Sequence, residues 1–407
     1  MICRFCGAAA ATTFVDLGMQ PLSNAYLVPE AGERMEPFYP LHARACGECF
    51  LVQVPELQKP EQIFTDYAYL SSMSDSWLEH CRRYATAAID RFGLGRGSLV
   101  VEVASNDGYL LQYFQKQGIE VLGIEPAANV AAIAASRGVP SVARFFGTAL
   151  AKELASRGTR ADLLVGNNVL AHVPALNDFV AGLAVLLAPA GVLTMEFPHL
   201  ARLVEQNQFD TIYHEHFSYF SFTTAERVLR AHDLVVFDVD EIPTHGGSLR
   251  IYAGHVGRAP SPSDRVARLR AHEAAQGLHS LATYAQFDTR VREVKRKLLE
   301  YLIACRRSGK HVVGYGAAAK GNTLLNYCGI RHDFVDYVVD RSTLKQGKLL
   351  PGTHLPIFPV ERIAETRPEV ILVLPWNIRD EIARQLSYVK DWGCELVVAI
   401  PEVTVLS

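Results

Sequence analysis

Along much of the chain, short apolar runs alternate with amphipathic stretches, and glycine- or asparagine-bearing turns separate them. Ser98-Leu99-Val100-Val101-Glu102-Val103 is a compact strand pattern. It runs through Ala104-Ser105-Asn106-Asp107-Gly108 into the helix pattern Tyr109-Leu110-Leu111-Gln112-Tyr113-Phe114. Val121-Leu122-Gly123-Ile124 is a second strand and stops at Glu125-Pro126. Residues 161–173 read as a fourth strand with Asn167, Asn168 and His172 near its polar C-terminal end; a helix at 181–187 and a strand at 191–197 follow. Strands alternating with helices predict a parallel sheet, the α/β class. After a charged helical stretch at 293–307 the pattern starts again. His311-Val312-Val313-Gly314-Tyr315-Gly316 leads into Ala317-Ala318-Ala319-Lys320-Gly321-Asn322-Thr323, and Val335-Asp336-Tyr337-Val338-Val339-Asp340 is the next strand. Between the two series, Ala259-Pro260-Ser261-Pro262-Ser263-Asp264 suits a turn followed by a helix N-cap. The expected organisation is a cysteine-bearing module at 1–56, an α/β domain at 57–255 and a second α/β domain at 256–407.

Composition narrows the function classes. A chain of 407 residues, 49% hydrophobic and 20% charged, is ordinary for a globular protein of two or three domains. A net charge of −3 gives no overall attraction to nucleic acid or anionic membrane, so an anionic ligand needs a local site. No segment reaches the roughly 18 apolar residues of a membrane span, and Met1-Ile2-Cys3-Arg4 does not open a signal peptide. The expectation is a cytoplasmic protein with no nucleic-acid or membrane partner, whose eight cysteines are thiols or metal ligands.

Cys3-x-x-Cys6 and Cys46-x-x-Cys49 supply four soft ligands, the donor set of tetrahedral zinc. Four thiolates fill the coordination sphere, so the metal is expected to be structural. His42 is a conceivable substitute ligand. Cys81, Cys305, Cys328 and Cys394 are scattered and read as core residues.

The first strand–turn–helix aims backbone N–H groups at a ligand, and Glu125 at the tip of the second strand can accept from both ribose hydroxyls. That pair suits an adenosyl group. Asp107 lies where a pyrophosphate would sit and would repel it; its carboxylate suits the cationic amino-acid moiety of S-adenosylmethionine.

Beyond these features the chain resembles the deoxysugar C-methyltransferases over its whole length. The resemblance rests on the cysteine module, Phe64-Thr65-Asp66-Tyr67-Ala68-Tyr69, Ser105-Asn106-Asp107-Gly108 and Asn167-Asn168. It also rests on Tyr213-His214-Glu215-His216-Phe217-Ser218-Tyr219-Phe220, His245-Gly246-Gly247-Ser248-Leu249-Arg250 and Gly314-Tyr315-Gly316-Ala317-Ala318-Ala319-Lys320-Gly321-Asn322. It implies a zinc-binding N-terminal domain, a class I methyltransferase Rossmann-like domain for S-adenosylmethionine, and a Rossmann-like C-terminal domain that helps hold a sugar nucleotide. Tyr67, Tyr213, Glu215 and His216 match the family's active-site positions, His216 in the place of the base. Glu102, Ala104, Ser105, Asn106, Asp107, Gly108, Glu125, Pro126, Asn167, Asn168 and Tyr69 are the expected cofactor residues. His172, His245, Gly246, Lys320 and Asn322 are expected to meet the sugar nucleotide. One departure is Ala104, where methyltransferases carry glycine.

The residues agree with that chemistry. Carbon methylation needs a carbanion, which a ketone on the neighbouring carbon supplies as an enolate once a base removes a proton. His216 can be that base, Tyr213 can donate to the enolate oxygen, and Glu215 can orient His216 or another polar group. In an extended chain 213 and 216 would face opposite sides, so a shared site requires a turn here. His-Glu-His lacks the spacing of a zinc protease motif. Tyr67 and Tyr69 could face a sulfonium. Lys320 near a helix start suits phosphate, Asp340 a ribose, and Pro375-Trp376-Asn377 lies at a strand end that can line the cleft.

The function expected is S-adenosylmethionine-dependent C-methylation of a nucleoside-diphosphate 4-keto-deoxysugar, thymidine being the family's usual nucleoside, by a monomer. The alternatives are an O- or N-methyltransferase on such a sugar and a nucleotide-binding protein without turnover.

Overall fold

The computed structural model describes residues 1–31, 35–59 and 70–406. Tyr67 and Tyr69 lie outside the described residues. The described strands form three sheets.

In the N-terminal sheet, β1 (Thr12–Gln20), β2 (Tyr39–Ala45) and β3 (Val52–Gln53) pair antiparallel, and β9 (Ser218–Tyr219) from far along the chain adds to its edge. Leu41, Ala43 and Ala45 alternate inward along β2, the period-two pattern of a strand with one buried face. Phe14 stacks on Phe287 of the helix Leu281–Arg307, with ring centroids 4.4 Å apart. The cysteine end instead joins the core under the middle sheet, where Cys3, Cys46, Cys49 and Leu51 are buried with Phe220 and Phe222. This small module therefore packs on both larger units.

The middle sheet contains β4 (Leu99–Val103), β5 (Glu120–Ile124), β6 (Ser141–Val142), β7 (Ala161–Asn167), β8 (Leu187–Pro198), β10 (Leu234–Ile242) and β11 (Ser248–His255). Its order is β6-β5-β4-β7-β8-β11-β10, with β11 antiparallel to both neighbours. That is a doubly wound sheet with one reversed strand inserted before the last, the Rossmann-like arrangement the resemblance implies. β4 and β7 lie at its centre and are buried on both faces, which is why they read as largely apolar runs. The helix Asp75–Phe92 covers one face with Cys81, Tyr84, Ala85 and Ala88. Ser74 caps it by accepting from the Trp77 amide, and Gly93 ends it in the left-handed region (φ 61°). The helix start therefore sets Trp77 and His80 beside the C-terminal edge of the sheet, where His80 meets Glu196. The helix Asp264–Ala275 packs its Val266 and Leu269 into the middle core.

The C-terminal sheet holds β12 (Val312–Tyr315), β13 (Val338–Val339), β14 (Ile357–Phe358), β15 (Val370–Val373), β16 (Glu395–Val398) and β17 (Thr404–Leu406). The order is β14-β13-β12-β15-β16-β17, parallel except for β17. Strand order reverses between β12 and β15, and ligands of such sheets gather at that crevice. Asn207 donates to the Pro401 carbonyl (3.2 Å) and Thr323 to the Ile212 carbonyl (3.3 Å). These bonds hold this crevice against the C-terminal edge of the middle sheet. No described helix is long and apolar enough to cross a membrane.

Candidate active site

Cys3, Cys6, Cys46 and Cys49 converge, their sulfurs all within 4.8 Å of one another. Cys3 and Cys49 are 3.6 Å apart, and Cys6 and Cys46 3.5 Å. The edge of a tetrahedron with Zn–S bonds of ~2.3 Å is about 3.8 Å, so the donor set fits zinc. The four thiolates leave no coordination position for substrate. His42 bonds Thr13 instead (2.9 Å). Cys81, Cys305, Cys328 and Cys394 are buried in the cores, as expected.

The turn after β4 folds tightly. Ala104 (φ 59°), Asn106 (φ 47°) and Gly108 (φ 78°) all have positive φ. The Asn106 amide donates to Glu125 Oε2 (3.0 Å) and the Ala127 amide to Oε1 (2.9 Å), which pins Glu125 at the tip of β5 ahead of Pro126. Burial raises the Glu125 pKa. Gly123 on β5 makes room for the Ser105 hydroxyl: a Cβ there would lie 2.4 Å from it. Asp107 is buried; its Oδ2 accepts from Arg137 (2.7 Å) and from the Ser72 hydroxyl. Its Oδ1 and Asn167 Oδ1 are buried and, among the described residues, have no partner. Two free acceptors beside a ribose-suited carboxylate fit the ammonium and hydroxyl donors of S-adenosylmethionine. Glu102 is fully buried beneath the turn, where desolvation raises its pKa well above the usual carboxylate range.

Residues 213–216 form the turn that a shared site requires, closed by the His216 amide on the Tyr213 carbonyl (3.0 Å). The Tyr213 hydroxyl lies 2.9 Å from His216 Nε2, and His216 Nδ1 lies 3.0 Å from the Thr211 carbonyl. A carbonyl only accepts, so Nδ1 carries the proton and Nε2 presents its lone pair. Desolvation, then the neighbouring His172, hold the His216 pKa well below its ordinary value. The His172 ring is 4.6 Å from that of His216, and burial pulls its own pKa down to about 4. Glu215 points away and accepts from Asn24 (2.8 Å), so it braces the N-terminal module and leaves His216 to Thr211. His214 faces Tyr39.

His245, in the left-handed region (φ 55°), brings Nε2 to 3.3 Å from Asn168 Nδ2. Lys320 donates to Asn377 Oδ1 (2.6 Å) and lies over the Trp376 ring. A groove of about 610 Å³ opens along this seam, lined by His199, Arg202, Gly246, Trp376, Asn377 and Arg379 among others.

Known proteins place this assembly. Three family models match in succession: "Putative zinc binding domain" at residues 3–64, "Methyltransferase domain" at 77–239 and "C-methyltransferase C-terminal domain" at 243–401. The C-methyltransferase NovU of Streptomyces niveus is 36% identical over 405 residues, spanning 100% of this chain and 96% of that protein. The chain belongs to the C-methyltransferase family. This C-methyltransferase uses S-adenosylmethionine as methyl donor and carries a zinc site in its N-terminal domain. Among solved structures, the PH0226 protein of Pyrococcus horikoshii OT3 is 15% identical (TM-score 0.37), covering 49% of this chain and 99% of its own. The magnesium protoporphyrin IX methyltransferase of Synechocystis PCC 6803 is 14% identical (TM-score 0.34), covering 43% and 82%.

Within the C-methyltransferase, Tyr213, His216 and His172 cluster, His245 meets Asn168, and the charges of His245 and Lys320 reach His216. Glu215 and Asn322 are engaged elsewhere: Glu215 with Asn24, and Asn322 is buried with its carboxamide oxygen accepting from Asn326 (3.2 Å). Several residues were missed. Glu196, fully buried at the end of β8, accepts from Arg250 (2.6 Å), pairs with His80 (3.0 Å) and accepts from Thr244 (3.1 Å). Burial opposes its ionisation, but His80 and Arg250 outweigh it and lower its pKa. Trp77 packs beside Tyr109 and His245. The only sequence signal for Glu196 was an acidic residue in an otherwise apolar strand; Trp77 and His80 gave none beyond their helix.

Proposed function

We propose that this C-methyltransferase transfers a methyl group to a ring carbon of a nucleoside-diphosphate 4-keto-deoxysugar, with thymidine as the nucleoside, through an enolate formed by His216. The observation that carries this is the His216 geometry. A neutral imidazole, fixed by the Thr211 carbonyl, presents a lone pair toward Tyr213. S-adenosylmethionine supplies the electrophilic methyl on its sulfonium. Glu125 would hold its ribose, Asp107 and Asn167 its amino-acid end, and Tyr67 and Tyr69 are assigned to this region by resemblance.

When substrate enters, the bond between Tyr213 and Nε2 opens. Nε2 takes the proton from the carbon beside the ketone, and the Tyr213 hydroxyl turns to donate to the developing enolate oxygen. Asn168 and His245 border the same space. Lys320 and the groove along Arg202 and Arg379 are taken to receive the diphosphate and nucleoside. The unit at 1–56 supports the catalytic turn, 57–255 holds the cofactor and 256–407 helps hold the sugar nucleotide. The same reading makes the enzyme a cytoplasmic monomer with no nucleic-acid or membrane partner.

Incubation with methyl-labelled cofactor and a panel of thymidine-linked keto sugars tests this. NMR of the product should place the label on carbon; label on oxygen or nitrogen would replace the carbanion chemistry with direct alkylation.

A further inference from the structure

Trp376 follows the last residues of β15 at the crevice of the C-terminal sheet and is only 6% exposed. Its indole N–H donates to Asp210 Oδ2 at 2.7 Å. Asp210 is fully buried, its Oδ1 has no partner among the described residues, and the next residue is Thr211, whose carbonyl fixes His216 Nδ1. The far rim of the same indole fills the space above Gly246. A Cβ on Gly246 would lie 2.5 Å from Trp376 Cη2, so only glycine admits the ring there. Gly246 directly follows His245. The indole face carries the Lys320 ammonium, 4.9 Å from the ring centroid, and Asn377 anchors that ammonium from the next position. One rigid side chain of the C-terminal domain thus touches the segments bearing His216, His245 and Lys320.

We propose that Trp376 is a positioning residue for methyl transfer. It acts through the Asp210 bond to hold the Thr211–His216 turn and through Gly246 to hold the His245 turn, so that docking of the C-terminal domain completes the base. This rests on the carbanion reading above. A shift of the catalytic turn by an ångström costs a base its alignment even when substrate still binds.

The test compares W376F, which keeps a ring but removes the N–H donor, with D210A and the double variant. Each is assayed for kcat, for KM of S-adenosylmethionine, and for wash-in of solvent deuterium beside the ketone with S-adenosylhomocysteine bound. W376F should lower kcat and the exchange rate together, roughly 10- to 100-fold, with the KM for S-adenosylmethionine unchanged. The double variant should cost no more than the worse single one, because both remove one bond. Unchanged rates in W376F, intact exchange with a lowered kcat, or multiplying losses in the double variant would each overturn the proposal. Should W376F fail to bind S-adenosylmethionine, D210A, which leaves the ring in place, carries the same expectations. Absence of exchange in the unaltered enzyme would count against the carbanion reading itself, and kcat of the variants would still decide the positioning role.

Discussion

At the scale of single residues, backbone conformation and protonation matter in ways that sequence registers only indirectly. Ala104 occupies a left-handed conformation (φ 59°) that costs an L side chain about 1–2 kcal/mol. Ala104→Gly should therefore stabilise the fold by up to about 1 kcal/mol after the greater chain entropy of glycine is offset. Denaturant midpoints read this directly, and a fall in stability would mean the turn does not need that conformation. Protonation gives a second expectation. The His216 pKa is held well below 6.5 by desolvation and by His172. A lowered pKa keeps the imidazole unprotonated into acid, so kcat/KM should stay level as pH falls through 6.5 and decline only well below it. An acid limb centred at 6.5 or above would contradict a buried His216 acting as the proposed base.

Elements were legible where one rule governed them. β4, β5, β7 and β8 stood out because strands buried in a parallel sheet are mostly apolar, and the cysteine pairs because few other chemistries want that spacing. β9 was not legible: Ser218–Tyr219 is two residues long and pairs with β3, some 165 positions earlier, through contacts no local pattern encodes. The partner of Glu215 was hidden for the same reason, since Asn24 reaches it from the N-terminal module. That connection has a consequence. The Val54 amide donates to the Phe217 carbonyl (3.1 Å), Asn24 reaches Glu215, and Arg4, next to Cys3, donates to the Val54 carbonyl (2.6 Å), so the cysteine-bearing module braces the 213–217 segment. Removing zinc with a chelator, or Cys46→Ser, should lower the melting temperature and kcat while S-adenosylmethionine still binds the middle sheet. Equal loss of cofactor binding, followed by calorimetry, would show that the module supports the whole fold instead.

Over the whole molecule, the proposed reactive groups come from the two larger units, and the N-terminal unit braces the segment that carries His216 through Asn24. The α/β class of the two larger units was readable because strands alternating with helices predict a parallel sheet. How the sheets face each other was not, because that depends on contacts such as Trp376 with Asp210 and Asn207 with Pro401, far apart in sequence. If Lys320 receives the diphosphate across this seam, Lys320→Ala should raise the KM for the sugar nucleotide roughly tenfold or more, the loss of one charge-assisted hydrogen bond of about 1.5–3 kcal/mol. The dissociation constant of S-adenosylmethionine, measured by titration calorimetry, should not move. A change confined to the cofactor would place Lys320 elsewhere.

Proton exchange in heavy water tests His216 as the base, comparing the unaltered enzyme with His216→Asn on a thymidine-linked 4-keto sugar, in the presence of S-adenosylhomocysteine. NMR should show deuterium entering beside the ketone with the unaltered enzyme and no entry above background with the variant, which also forms no C-methyl product when given S-adenosylmethionine. Deuterium entering at equal rates in both, or a methylated carbon formed by the variant at the normal rate, would contradict the account.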